Sequence, residues 1–308
     1  MKPALYARRR FEGPAFGELD ERFAVTVLDG PVREAALAGR IPHAAAIWTF
    51  GETIDAALLD ALPVLAVVAN HGVGTDTIDT DALARRKIAL VVPRGVNAPA
   101  VASHAMALLL AVRHRVVEGD RMIRSGAWAS RHADEPLGDD VSGSTLGIVG
   151  LGAIGQQLAR RATAFDMPVL ATSRTAQPAI EASLGVERVA LAELLERSET
   201  VAICCPLTPA TRGLIGAEEL RRLGPRGVLV NVARGAIVDE AALVAALVDE
   251  TILGAGLDVF VDEPRVPAAL LAHPRVVVTP HTADYQAGML ETVTAAVVRG
   301  LLLVGSTG

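Results

Sequence analysis

Short apolar runs alternate with amphipathic stretches along nearly the whole of this 308-residue chain. In its first third, "VLAVVA" (residues 64–69) and "IALVV" (residues 88–92) carry no polar position to turn toward water. That is the pattern of parallel strands buried on both faces. Beside them, "DAALLDAL" (residues 55–62) and "DTDALARR" (residues 79–86) space their apolar residues as helices do. Pro93 and Gly95 interrupt the alternation. A long helix is predicted to start at Pro99, a favoured first helical residue, and to run through "AVASHAMALLLAVRH". The second half repeats the alternation more clearly. Strands are expected over 146–149, 168–171, 201–204, 228–232, 255–258 and 276–279, with helices between them, among them 154–164 and 239–247. From Tyr285 onward one more amphipathic helix is expected, returning to the first part of the chain. Strand–helix alternation of this kind predicts an α/β fold with two doubly wound parallel-sheet domains and a cleft between them.

Composition narrows the picture. Hydrophobic residues make up 51% and charged residues 21%, the balance of a packed protein and not of a disordered one. The length allows a substantial core in each of two domains. Twenty-nine basic against 35 acidic side chains leave a formal charge of −6. Nothing in that balance suggests nucleic acid or an anionic membrane as a partner. "RRR" at residues 8–10 reads as a solvated surface turn. Cys204 and Cys205 are adjacent at the end of an apolar run and read as small reduced hydrophobes, not as a disulfide framework. The start of the chain lacks a basic-then-apolar leader, and runs such as 105–112 are far short of the ~20 residues that span a bilayer. A cytoplasmic location is the expectation, and no metal site is foreseen.

"TLGIVGLGAIGQQLARRATAF" carries the first candidate chemistry. A strand is followed by Gly150, Gly152 and Gly155 and then by an amphipathic helix. Gly150 allows the tight turn, Gly152 lets backbone approach a pyrophosphate, and Gly155 lets helix and strand pack closely. The helix N-terminus, at Ala153 and Ile154, presents free N–H groups to the phosphates. An acid at the end of the next strand would hold the ribose hydroxyls of NAD. This chain has "TSRT" instead, with Ser173, Arg174 and Thr175. Two hydroxyls and a planar cation suit a 2′-phosphate, so the expected cofactor is NADP, with NAD as the alternative.

With "TFGETIDAALLDALP", "NHGVGTDTID", "GVNAPAVASHAMALLLA", "STLGIVGLGAIG", "CPLTPATRGLIG", "VLVNVARGAIVDEAALVAAL", "AGLDVFVDEPRVP" and "VVVTPHTA" in this order, the chain resembles the D-isomer-specific 2-hydroxyacid dehydrogenases over nearly its whole length. It looks most like their glyoxylate/hydroxypyruvate and hydroxyphenylpyruvate reductases. The resemblance implies a flavodoxin-like substrate domain (1–98 with 284–308) and a Rossmann dinucleotide-binding domain (99–283), with the active site in the cleft. It also implies a catalytic trio of Arg234 in "NVARG", Glu263 in "DVFVDEP" and His281 in "TPH". The chemistry wants such a set. Reduction of a 2-oxoacid needs a cation for the carboxylate and oxo group, an acid for the carbonyl oxygen, and a hydride donor. Histidine titrates near neutral pH and serves as acid or base, and Glu263 would orient the ring and hold its proton more firmly.

The same resemblance assigns the N–H groups of Val73 and Gly74, in "HGVGTD", to the substrate carboxylate. It places Asp258 at the nicotinamide carboxamide, and Cys205, Pro206, Thr211, Val232 and Ala233 along the cofactor. Rough placement puts His71, with Trp48 and Phe50, around the substrate side chain. Two departures stand out. Ser103 occupies a place where an acid is common, and "TADYQ" follows His281 where small residues are usual. The chain closes at "GSTG", read as a shortened final helix. The expected activity is reduction of a small 2-oxoacid to the D-2-hydroxyacid by an enzyme that pairs as a homodimer through the helix after Pro99, whose "AVASHAMALLLAV" carries more apolar surface than a single packed face needs. A nucleotide-sensing corepressor-like protein and an NAD-dependent dehydrogenase are the alternatives, while glutamate at position 263, where formate dehydrogenases have glutamine, argues against that activity.

Overall fold

Five short strands open the chain, each ending where a polar or glycine-containing turn begins. They are β1 (Ala4–Ala7), β2 (Ala24–Val27), β3 (Ala44–Thr49), β4 (Val67–Asn70) and β5 (Ala89–Val91). Helices α1 (Val32–Leu37), α2 (Ala56–Ala61) and α3 (Thr80–Arg85) lie between them. The structure, a computed structural model, describes residues 2–11, 13–128 and 137–304. All pairings in this sheet are parallel, in the order β2-β1-β3-β4-β5. Alternation along β4 explains its two-sided burial: Val68 packs with Leu58, Leu59 and Leu83, while Val67 and Ala69 pack with Leu5, Phe16 and Trp48. The run read as a strand over 64–69 starts later, because the Leu65 N–H bonds the Leu62 carbonyl and holds that stretch in a turn. Asp55 and Asp79 cap α2 and α3 by accepting the N–H groups of Leu58 and Ala82 at 3.1 and 2.8 Å.

The second sheet has seven parallel strands. In chain order the elements are α4 (Ala98–Arg113), α5 (Val116–Arg124), β6 (Leu146–Val149), α6 (Ala153–Thr163), β7 (Val169–Thr172), α7 (Pro178–Leu184), β8 (Val186–Arg188), α8 (Leu191–Arg197) and β9 (Thr200–Ile203). Then come α9 (Ala217–Leu223), β10 (Val228–Asn231), α10 (Glu240–Val248), β11 (Gly254–Leu257), α11 (Ala268–Ala272) and β12 (Val276–Val278). Their order is β12-β11-β10-β9-β6-β7-β8. The direction of winding reverses between β6 and β9, the switch point where doubly wound sheets bind ligands beyond the strand ends. The chain closes with α12 (Met289–Val304), whose Val297, Val298 and Leu301 pack with Leu5 and Trp48. Residues 305–308, read as part of a shortened final helix, lie outside the described residues. By internal contacts the chain divides into two units, Met1–Asn97 with Tyr285–Gly308, and Ala98–Asp284. Both are the doubly wound α/β units that the alternation predicts.

Two expectations need revision. The breadth of apolar surface on α4 reads from the sequence as more than one packed face requires. Ten of its 16 residues are buried, and Val101, Leu108, Leu109 and Val112 share a core with Leu146, Leu158 and Val230 of the same unit. Its own sheet and α6 use that surface. The arginines at 8–10 do more than face water. Arg8 donates to the Phe50 carbonyl at 3.0 Å, and the Arg9 guanidinium sits 5.4 Å from the centres of both the Phe11 and Phe50 rings.

Candidate active site

The glycine turn between β6 and α6 is built on close approach. Gly150 has φ +103°, and a Cβ there would lie 2.7 Å from the backbone nitrogen of Cys205. A Cβ on Gly155 would lie 2.2 Å from the Gly150 carbonyl oxygen. Gly152 differs: a Cβ there meets nothing within 4 Å. Space is therefore left open on the one glycine that should border a pyrophosphate. No side chain caps α6, and its first turn holds no acid, so the N–H groups around Ala153 and Ile154 keep their partial positive charge. These features fit a dinucleotide.

Beyond β7, the Ser173 hydroxyl donates to the Thr175 carbonyl at 2.9 Å and shapes the turn that presents Arg174. Arg174 is exposed, and among the described residues no carboxylate pairs with it. A second cation stands beside it. Arg188, at the end of β8, donates from Nη2 to the Ser173 carbonyl at 2.9 Å. Its segment, "VER", lacks the apolar run that marks a strand, so it goes unnoticed in the sequence.

The remaining cofactor candidates sit at strand ends of the same sheet. Thr211 donates to the Pro206 carbonyl at 2.7 Å and accepts the Thr208 N–H at 2.8 Å, so its hydroxyl shapes the loop after β9. Cys204 and Cys205 are free thiols. Burial pushes Cys204 up to about 12, which keeps it protonated, and pushes Cys205 upward as well. Val232 is buried, and Ala233 donates its N–H to the Asn231 side chain at 3.0 Å.

Arg234 follows in extended backbone. The Asn231 amide fixes its carbonyl at 2.9 Å, and its own Nη1 donates to the Ala233 carbonyl at 2.7 Å. A Cβ on Gly235 would lie 2.0 Å from the carbonyl carbon of Phe260. That close approach lays the Arg234 loop directly on the loop that leads to Glu263.

Glu263 is held at both oxygens. One accepts the Phe260 N–H at 3.0 Å, and the other lies 2.8 Å from His281 Nδ1. A carboxylate there selects the tautomer with the proton on Nδ1 and leaves Nε2 of the half-exposed His281 ring for exchange. Asp258, fully buried, accepts the N–H groups of Thr282 and Ala283 at 2.9 and 3.0 Å. Burial pushes its carboxyl up, but hydrogen bonds from His104, Thr279, Thr282 and Ala283 hold it below its ordinary value. The Ser103 hydroxyl, standing where an acid is common, accepts from Arg161 Nε at 3.1 Å.

In the other unit, the turn that holds Val73 and Gly74 is shaped by Asn70. Its amide donates to the carbonyls of Gly72 and Gly74 at 2.9 and 3.1 Å, and its oxygen accepts the Gly51 N–H at 3.2 Å. Those carbonyls are thus occupied, and among the described residues no hydrogen bond takes the N–H groups of Val73 and Gly74. Asn70 reads in sequence as one more strand residue, and only the structure reveals this work. His71, next along, is 4% exposed and stacks on Phe11 at 4.4 Å between ring centres, with Trp48 and Phe50 around it. Burial pushes its pKa down to about 4, so the ring is neutral at physiological pH.

Residues 106–283 match the family model described as D-isomer specific 2-hydroxyacid dehydrogenase, NAD binding domain. The glyoxylate reductase of Thermococcus onnurineus is 39% identical over 309 residues, covering 98% of this chain and 92% of that protein. Two solved structures are close in fold. An NADPH-dependent glyoxylate/hydroxypyruvate reductase from Sinorhizobium meliloti, in complex with NADP and malonate, gives a TM-score of 0.89 at 34% identity, covering 100% of this chain and 95% of that one. A glyoxylate reductase from Paecilomyes thermophila gives 0.92 at 30% identity, covering 100% and 96%. Sequence, strand order and the strand-end chemistry agree: this chain belongs to the D-isomer-specific 2-hydroxyacid dehydrogenases, a family of NAD(P)-dependent oxidoreductases.

Proposed function

We propose that the protein reduces a small 2-oxoacid, of the glyoxylate and hydroxypyruvate class, to the D-2-hydroxyacid with NADPH. The observation that carries this reading is the His281–Glu263 pair at 2.8 Å, set beyond the strand ends of the nucleotide-binding sheet. Gly150, Gly152, Gly155 and the first turn of α6 would hold the pyrophosphate, and Arg174 with Arg188 the 2′-phosphate. The reduced nicotinamide, when bound, supplies the hydride. The chain supplies the rest. Free N–H groups at Val73 and Gly74 bind the substrate carboxylate, and the planar fork of Arg234 holds and polarises the oxo acid. His281, protonated on both nitrogens, gives its Nε2 proton to the carbonyl oxygen while Glu263 retains the proton on Nδ1. The same groups in reverse serve oxidation. Neutral, apolar-stacked His71 favours a small uncharged substituent on the substrate. The test is turnover of glyoxylate, hydroxypyruvate, pyruvate and phenylpyruvate with each reduced nicotinamide. Steady reduction of the small oxoacids with NADPH is expected, and absence of turnover on all four would favour a corepressor-like binding role.

The active form is a homodimer in the cytoplasm. Among the described residues of α5 none is buried, and Val116 and Ile123 are each 56% exposed. Apolar surface left open on one helix face is what a symmetric partner covers. Light scattering at micromolar concentration should give twice the 32.0 kDa chain mass. A monomer mass would remove the dimer and leave the chemistry standing.

A further inference from the structure

We propose that His104 is a positioning residue for the His281–Glu263 acid, acting through Thr279 and Asp258. The inference rests on the reading of His281 as the proton donor.

His104 lies within α4, 175 residues from Thr279 in sequence, yet its Nε2 is 2.8 Å from the Thr279 hydroxyl. That hydroxyl is 2.5 Å from Asp258 Oδ1, and an ionised carboxylate can only accept. The threonine proton is therefore committed to Asp258, and the threonine oxygen must accept from His104. His104 accordingly carries a proton on Nε2, which also lies 3.4 Å from Asp258 Oδ1.

Asp258 then grips three consecutive backbone N–H groups. Its carbonyl accepts from His281 at 2.8 Å, Oδ1 from Thr282 at 2.9 Å, and Oδ2 from Ala283 at 3.0 Å. The turn needs this grip, because His281 has φ +53°, a conformation that side-chain-bearing residues keep only when their surroundings impose it. From that backbone the ring of His281 places Nδ1 2.8 Å from Glu263. With α4 packed across the sheet as a fixed reference, the chain of contacts from His104 to Thr279 to Asp258 sets where the acid stands. Asp258, expected from family resemblance to receive the nicotinamide carboxamide, already has three protein donors of its own besides His104.

The experiment compares His104→Ala, His104→Gln and Thr279→Val with the parent enzyme. It reads kcat, KM for glyoxylate, NADPH affinity by fluorescence, and the thermal midpoint. A displaced acid costs about 10- to 100-fold in kcat. That loss is expected in His104→Ala and Thr279→Val, with NADPH affinity little changed. His104→Gln, which keeps an N–H donor near the Nε2 position, should recover most of it. Unchanged kcat in both truncations would overturn the proposal. So would a loss that falls on NADPH affinity, which would make this network a cofactor contact, or a drop in thermal midpoint alone, which would make it structural. If His104→Ala does not fold, Thr279→Val against Thr279→Ser decides by the same readouts. Full turnover in His281→Ala would instead remove the reading on which the proposal stands.

Discussion

Replacing His281 with alanine is expected to lower turnover of a 2-oxoacid about 100- to 10,000-fold, the usual contribution of a positioned general acid. The size follows from how tightly the ring is prepared. Its Nδ1 is 2.8 Å from Glu263, whose second oxygen is tied to the Phe260 N–H, so neither partner is free to turn away. Its backbone N–H is tied to the Asp258 carbonyl at 2.8 Å. A group held at its ring and at its backbone, by partners that are themselves held, loses little freedom when substrate arrives, and its removal leaves only water to protonate the oxygen. NADPH affinity should survive the change, because none of these contacts belongs to the glycine turn or to the arginines beyond β7 and β8. Steady-state assays and NADPH titration of the same preparation check both parts. Near-normal turnover would show that His281 is not the acid.

What was legible in advance follows a physical division. The parallel strands are readable because burial on both faces demands apolar runs, as in "LGIV" of β6 and Val228–Val230 of β10. The glycine turn was readable because only glycine fits where a Cβ would strike backbone, as at Gly150 and Gly155. Strand β8 leaves no such signature, since "VER" sits at a sheet edge with only Val186 buried. Boundaries shifted by a residue or so for a related reason. In the sequence the apolar run extends β11 to Asp258, but the strand ends at Leu257. The aspartate stands just beyond the ladder, where its carboxylate is free to bind the turn after β12.

Residues that act by hydrogen bonding at long range were the least legible. Asn70, Arg188 and His104 carry no motif that announces their partners. Asn70 reaches across to Gly51 and down to Gly72 and Gly74, and His104 reaches a threonine 175 positions away. Sequence patterns report which face is buried. They do not report which amide or imidazole meets which carbonyl. The breadth of α4 misled for the converse reason, because a helix lying across a sheet and against α6 buries more than one stripe.

The proposed preference for NADPH should rest on Arg174. If it pairs with the 2′-phosphate, the charge-assisted hydrogen bonds contribute about 1.5–3 kcal/mol. Each 1.4 kcal/mol is about tenfold in affinity, so Arg174→Ala is expected to weaken NADPH binding by about 10- to 100-fold. NADH, which lacks that phosphate, should bind as before. Ser173→Asp should act in the same direction, since a carboxylate repels the phosphate and accepts from the ribose hydroxyls. Arg188 sets a limit on how far either single change can go. Its guanidinium, bonded to the Ser173 carbonyl at 2.9 Å, remains beside the site and can retain part of the phosphate affinity when Arg174 is gone. The double variant Ser173→Asp with Arg174→Ala should therefore reverse the preference, and Arg188→Ala added to it should deepen the reversal. Catalytic efficiency with both reduced nicotinamides on one oxoacid is the measurement. A parent enzyme that favours NADH would show that these two arginines do not meet a 2′-phosphate, while the acid and its glutamate would keep their roles.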